Sequence, residues 1–266
     1  MKRSGIIKVS LALLIFVGIH QHCIYKIGNF EVRQIVSDIE NSPEWEVSAK
    51  PALHLLEQKF TFLGMGDQAY AFLGEDKMTV LKLFKHYDAQ GKRPLHHIFE
   101  SCKLAYELLK EETGLIYLHI NKEKTPLYIT LIDKLGFFHK VNINQTEYAI
   151  QKKADGLIFD RLAMLLKKGD IASIKQHIHV LFELIAQRCA KGIGDRDTAL
   201  RRNYGYLSMQ PIALDIGSYF VQEELKEPVA ARIEIAHKTH RLLRWLKKHA
   251  PELIPYYESE LVKISG

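Results

Sequence analysis

The chain has 266 residues, 47% of them hydrophobic and 26% charged, with a formal net charge of +6. That length and apolar share suit one two-lobed domain, or one domain with extensions, and exclude general disorder. Three widely separated cysteines, Cys23, Cys102 and Cys189, exclude a disulfide framework and offer no CxxC or Cys/His metal spacing. The basic excess suits a phosphorylated ligand or an anionic membrane face. No lysine-rich tract is dense enough for nucleic acid, since Arg201-Arg202 is too short.

Lys2 and Arg3 precede an apolar run from Val9 to Ile19, interrupted by Ser10 and Gly18. The run falls below the roughly 20 residues that span a bilayer. Positive charge ahead of a short apolar stretch fits a secretory signal or a signal anchor. No small-x-small cleavage site follows, and Cys23 lacks the small apolar residues of a lipidation site. Residues 1–25 are read as a hydrophobic leader or anchor, with membrane association through residues 5–25. The alternative is an apolar helix packed on the domain. Residues 26–56 are read as a helical extension, because Phe30, Val32, Ile35, Val36 and Ile39 recur at helical spacing before Asn41-Ser42-Pro43. Trp45 and Val47 are expected to cap the small lobe that follows.

Phe60 to Lys85 predicts three strands in succession. One runs into Gly64, one covers Gln68 to Leu73, and one covers Met78 to Phe84 after the polar turn Gly74-Glu75-Asp76-Lys77. Gly64 and Gly66 sit at the first hairpin, where glycine allows positive φ and leaves N–H groups open to an anion. Lys82 lies among Val80, Leu81, Leu83 and Phe84, and an ammonium there needs a partner. Leu95 to Lys110 predicts a helix with Ile98, Cys102, Ala105 and Leu109 on one face. Strands follow at Gly114 to Ile120, at Leu127 to Phe138 with a hairpin at Asp133-Lys134, and at Tyr148 to Gln151. Leu157 to Lys168 and Ile171 to Ala190 predict helices. Asp170 is the N-cap of the second, and Lys191-Gly192 its end. After the segment 193–217, Val229 to His249 predicts a last long helix. Its basic residues Arg232, Lys238, Arg241, Arg244, Lys247 and Lys248 are read as a solvated face, with contact to anionic lipid or an acidic substrate as the alternative.

Gly64-Met65-Gly66-Asp67-Gln68-Ala69 resembles the glycine-rich loop of the protein-kinase-like superfamily, with Ala69 in place of the third glycine. Thr79-Val80-Leu81-Lys82 is similar to the family's lysine strand. Ile193-Gly194-Asp195-Arg196-Asp197 with Asn203 resembles its catalytic loop, and Leu214-Asp215-Ile216-Gly217 its metal motif. These motifs fall in the family's order from Phe60 to Gly217. No alanine-proline-glutamate motif follows Gly217, so the resemblance is to atypical or small-molecule kinases.

The resemblance implies an α+β, two-lobed kinase-like fold. Residues 57–151 would be an N-lobe with a small antiparallel sheet, and residues 152–266 a shortened, mainly helical C-lobe. It implies ATP and Mg²⁺ as cofactors and a hydroxyl-bearing protein or small molecule as acceptor. Gly64, Gly66 and Lys82 would bind nucleotide. Glu100 would orient Lys82, with Glu107 as second choice. Asp195 would act on the acceptor hydroxyl, with Asp197 as the alternative because it lies nearer Asn203. Asn203 and Asp215 would hold metal. The competing implication is a catalytically weak pseudokinase that serves as a nucleotide-binding or scaffolding module at a membrane. The leader predicts a membrane-associated or secreted protein, whereas use of ATP favours a kinase domain facing the cytoplasm.

Overall fold

Apolar alternation after residue 58 folds as read. The first strands are β1 (Lys59–Met65), β2 (Ala69–Gly74) and β3 (Thr79–Phe84), antiparallel in succession, with Phe62 opposite Phe72 and Ala71 opposite Lys82. The turn from β2 to β3 is tied by Asp76, whose Oδ1 accepts from the N–H groups of Met78 and Thr79 at 2.9 and 3.0 Å. A short hairpin, β4 (Tyr87–Asp88) and β5 (Gly91–Lys92), comes next. Helices α2 (His96–Leu108) and α3 (Lys110–Thr113) precede β6 (Leu115–His119), β7 (Tyr128–Ile132), β8 (Phe138–Asn142), β9 (Tyr148–Lys152) and β10 (Gly156–Leu157). The remainder is α4 (Ile158–Lys167), α5 (Ile171–Ala190), β11 (Ile193–Asp195), α6 (Leu200–Asn203), β12 (Tyr204–Leu207), β13 (Gln210–Ala213), β14 (Tyr219–Val221), α7 (Pro228–His249) and α8 (Ile254–Ile264). This computed structural model describes residues 9–19, 30–47, 53–88 and 91–264, and it is a mixed α+β protein with a multi-stranded sheet and several helices.

The described residues divide into two compact units. One draws on the described residues within 1–42, 48–93 and 119–148, the other on those within 43–47, 94–118 and 149–266. In the first unit the strands lie in the order β3-β2-β1-β7-β8. The expected all-antiparallel sheet is corrected here, because β7 runs parallel to β1, with Phe60 opposite Leu131. A parallel pair needs a long crossover, and β2, β3 and α2 lie between the two strands in the chain.

The helix expected over residues 30–39 is a second correction. Only Val32–Gln34 forms a 3-10 turn, and Glu31 makes no side-chain cap. The backbone spends its hydrogen bonds elsewhere: the His86 N–H donates to the Gln34 carbonyl at 2.7 Å, and the Ser37 N–H to that of Gln145 at 3.4 Å. Phe30 packs edge-on against Tyr70, Phe72 and His139, and Ile35 is wholly buried. Tertiary bonds here outweigh a helical period carried by β-branched residues. Among its described residues, the rest of the expected extension holds the 3-10 turns Pro43–Trp45 and Leu53–Leu55. Trp45 packs edge-on against His96 and Phe99 of α2, within the second unit.

Residues 9–19 form α1, exposed along its whole length and about 16 Å long at the usual helical rise. No described helix is long and apolar enough to cross a membrane. The charged start of the leader, residues 20–29 with Cys23, and residues 48–52 lie outside the described residues.

The second unit is built on α5, whose N-terminus is capped by Asp170: its Oδ1 accepts from the Ser173 N–H at 3.0 Å. Helices α5, α7 and α8 share apolar faces. Phe182 meets Tyr257 edge-on at 5.0 Å, and the Tyr257 and Thr239 hydroxyls are 2.6 Å apart. The unit also holds two small ladders, β10-β12-β13 and β11-β14.

Two outcomes follow for the first unit. Ile35→Ala should cost about 2–5 kcal/mol in denaturant unfolding, whereas Val36→Ala, at a 49% exposed position, should cost under about 0.5 kcal/mol. A helix with the expected apolar face would make the two losses comparable. His119 stacks on Tyr148 at 4.8 Å, and burial holds its imidazole down to about 4 despite a hydrogen bond with the Asn144 backbone. Below about pH 6.5 the unfolded state takes the proton first, so stability is lost as pH falls towards 4. The difference amounts to roughly 3 kcal/mol. Urea unfolding at pH 7 and pH 4 should show this loss in wild type and a smaller one in His119→Phe.

Candidate functional site

The segment after α5 carries acidic residues onto a framework of two ladders. β11 pairs with β14, placing Asp195 opposite Tyr219, and β12 pairs with β13, placing Tyr204 opposite Ala213. Gly194 leaves room for the Phe220 ring: a Cβ there would stand 2.6 Å from Phe220 Cζ, so the ring would have to move. The second ladder continues one step past its strands, since the Leu214 N–H donates to the Asn203 carbonyl at 2.7 Å. That bond brings Asn203 beside the strand end that bears Asp215. The 215–219 turn is held to α2 by Ser101, whose buried hydroxyl donates to the Ile216 carbonyl at 2.7 Å and accepts from the Tyr219 N–H at 2.6 Å.

Asp195 is half-buried as a residue, with its side chain 6% exposed, and it is engaged on both oxygens. Its Oδ1 accepts from the Ser218 hydroxyl at 2.6 Å and the Asp197 N–H at 3.0 Å. Its Oδ2 faces the Lys238 ammonium at 3.1 Å and the Tyr204 hydroxyl at 3.5 Å. Lys238 also donates to the Asp197 carbonyl at 2.6 Å and to the Asp195 carbonyl. Burial pushes the Lys238 ammonium below its usual range, against the pull of Asp195. Burial and the Asp195 charge push the Tyr204 phenol above its own range, so it stays a donor. Behind this cluster Arg188 pairs with Glu234 at 2.6 Å and donates to the Ile193 carbonyl at 2.7 Å. Burial acts to lower the Arg188 guanidinium, and Tyr204, Asp195 and Glu234 outweigh it.

Asp197 is placed differently. Its Oδ1 accepts from the Ala199 N–H and its Oδ2 from the Asn203 side-chain amide, both at 2.7 Å, and the residue is half-buried. That bond commits the Asn203 side-chain nitrogen to Asp197. Asp215, also half-buried, uses Oδ1 to accept from the Gly217 N–H at 3.0 Å. Among the described residues no group of three or more His, Cys, Asp or Glu could hold a metal ion.

The structure therefore brings Asp195, Asp197, Asn203 and Asp215 onto one framework. Glu100 and Glu107 are exposed on α2, and Glu107 pairs with Lys103 at 3.6 Å. Gly64, Gly66 and Lys82 belong to the first unit. There the Gly66 N–H donates to the Ala69 carbonyl at 2.9 Å, and Lys85 Nζ donates to the Gly66 carbonyl at 2.7 Å. The expected positive φ is corrected: neither Gly64 nor Gly66 adopts it, and a Cβ on Gly64 would meet open space. A bulge between Phe62 and Gly64 supplies the bend instead.

The sequence reading missed Lys238, Arg188, Ser101, Tyr204 and Ser218. Lys238 was assigned to a solvated face, and the structure buries it to 1% exposure. Its signal was its place in the heptad-like run Ala231, Ile235, Thr239, Leu242 and Leu246, all buried.

No protein-family model matches the chain, and no curated protein matches it. Among solved structures it is similar to one titled "WaaP in complex with acyl carrier protein", at 10% identity and a TM-score of 0.34, covering 85% of this chain and 98% of that one. A likeness of that degree carries no functional argument.

Lys238→Met should destabilise the second unit by about 3–5 kcal/mol, because it strands the Asp195 carboxylate in a buried place. The double variant with Asp195→Asn should recover part of that loss. A double-mutant cycle by denaturant unfolding measures the coupling, and additive losses would mean that the pair is not an interacting unit.

Proposed function

We propose that the chain is an Mg·ATP-dependent phosphotransferase with a two-lobed kinase-like fold, acting on a hydroxyl group of a protein or small molecule. Residues 57–151 form the N-lobe of this reading and residues 152–266 its shortened helical C-lobe. One observation carries it: the Asp197 carboxylate is held by the Asn203 amide at 2.7 Å, on a loop whose backbone bonds directly to the strand end bearing Asp215. Phosphoryl transfer asks for little more than such positioning of carboxylates and neutral oxygens around phosphate.

In this reading Asp197 orients and deprotonates the acceptor hydroxyl. The saturated surroundings of Asp195 support a structural part for it, so the roles first assigned to the two aspartates exchange. The Asn203 amide oxygen and the Asp215 carboxylate hold Mg²⁺, which when bound neutralises charge on the β- and γ-phosphates. Lys82 contacts the α- and β-phosphates, Glu100 orients it, and the N–H groups of the Gly64–Gly66 hairpin approach the phosphates. Residues 5–25 associate the protein with a membrane.

The exposure of Glu100 on α2 favours a second reading, a nucleotide-binding module with little catalysis. The two readings part in one experiment. Mg·ATP hydrolysis and autophosphorylation are measured in wild type, Lys82→Ala and Asp215→Ala, with nucleotide binding followed by thermal shift. Turnover that falls by about 10²-fold or more in both variants supports the enzyme. Binding without turnover in all three supports the module, and neither binding nor turnover in wild type contradicts both.

A further inference from the structure

The connection between β7 and β8 presents apolar side chains that the fold itself leaves uncovered. Leu135, Phe137 and Phe138 are 52%, 64% and 67% exposed, and Tyr128 at the far end of the hairpin is 55% exposed. This exposure is built in. The buried Asp133 carboxylate accepts from the N–H groups of Leu135 and Phe137 at 2.9 and 3.0 Å, and its other oxygen meets His139 Nε2 at 2.8 Å. The Asp133 backbone N–H donates to the Phe137 carbonyl, and the Gly136 N–H to that of Asp133, both at 3.0 Å. Gly136 takes φ 90°, a conformation that L side chains rarely adopt. The turn is thus ordered with its apolar groups in water, so a partner meets a tip whose ordering cost is already met.

Lysines flank the tip. Lys134 is exposed beside Leu135, and Lys140 lies over the Tyr128 ring at 4.7 Å. On the β7–β8 ladder Phe138 stands opposite Ile132 and Lys140 opposite Thr130, so Phe138 and Lys140 share one face. β8 ends its strand order, which leaves this hairpin at the sheet's edge.

We propose that this tip is a membrane-docking wedge for an anionic phospholipid surface. Leu135, Phe137 and Phe138 enter the acyl boundary, while Lys134 and Lys140 reach the headgroup phosphates. The arrangement of an apolar tip with a basic collar fits the layered chemistry of a bilayer interface. Three side chains offer on the order of 400 Å², well short of the roughly 800 Å² per partner of a stable protein interface. The net charge of +6 has the sign that anionic lipid attracts. The wedge is independent of the leader at residues 5–25 and of the phosphotransfer reading.

The test uses the full chain carrying Phe137→Trp, with wild type as background for Trp45 and Trp245. Vesicles of phosphatidylcholine alone, and with a quarter phosphatidylglycerol, are prepared with and without brominated acyl chains. The proposal expects the added emission to shift to the blue and to be quenched by brominated lipid, with the anionic vesicles only. Leu135→Ser with Phe138→Ser should lower this partitioning by about tenfold or more, and Lys134→Glu with Lys140→Glu should remove its preference for anionic lipid. Vesicle binding through the leader with the Phe137→Trp indole unshifted would overturn the proposal. So would a blue shift that grows with protein concentration in the absence of vesicles, the mark of a second copy on the tip.

Discussion

Lys238 carries its ammonium into a part of the second unit from which water is excluded, and there it meets three oxygens of the 195–197 segment. Two of these are main-chain carbonyls and the third is the Asp195 carboxylate. An unpaired buried ammonium costs several kcal/mol, so the helix bearing Lys238 and the loop bearing Asp195 can be buried together only in this mutual arrangement. The carbonyl contacts fix the loop's path, and the path sets where the next acid, Asp197, presents its oxygens. Arg188 extends the same logic one layer back, anchoring β11 through the Ile193 carbonyl while Glu234 balances its charge.

This constraint separates two aspartates that look alike in the chain. Asp195 accepts from the Ser218 hydroxyl and the Asp197 N–H and faces the Lys238 ammonium, whereas Asp197 accepts from the Ala199 N–H and the Asn203 amide. An acid paired with a buried ammonium suits the holding of a loop, and one held only by neutral N–H donors is the one the proposed function assigns to the acceptor hydroxyl. Ser101 gives the Asp215 turn a comparable footing on α2. The candidate site thus rests on side chains that touch no ligand in the proposed reaction.

Much of this was legible in the sequence. The three strands from Lys59 to Phe84, the Asp170 cap, the hairpin after Ile132 and the α5–β11 boundary follow from period and turn chemistry. The motif order placed Asp195, Asn203 and Asp215 on one segment. What escaped was set by tertiary pairing. The 30–39 run has a helical period, yet its main chain bonds to Gln145 and His86, far along the sequence. The parallel register of β1 on β7 depends on where a distant hairpin docks. Lys238 looked like one more cation on a basic helix, and only its alignment with Ile235 and Leu242 marked it as buried. No local signal separates Asp195 from Asp197, because the difference lies in what Lys238, Ser218 and Tyr204 donate.

The most direct measurement sets Asp195→Asn beside Asp197→Asn, reading melting temperature and phosphoryl transfer from Mg·ATP per folded molecule. The account predicts that Asp195→Asn melts lower yet retains most transfer per folded molecule, and that Asp197→Asn melts like wild type with transfer lowered by about 10²-fold or more. An Asp195→Asn protein that melts normally and has lost transfer, beside an active Asp197→Asn, would contradict it.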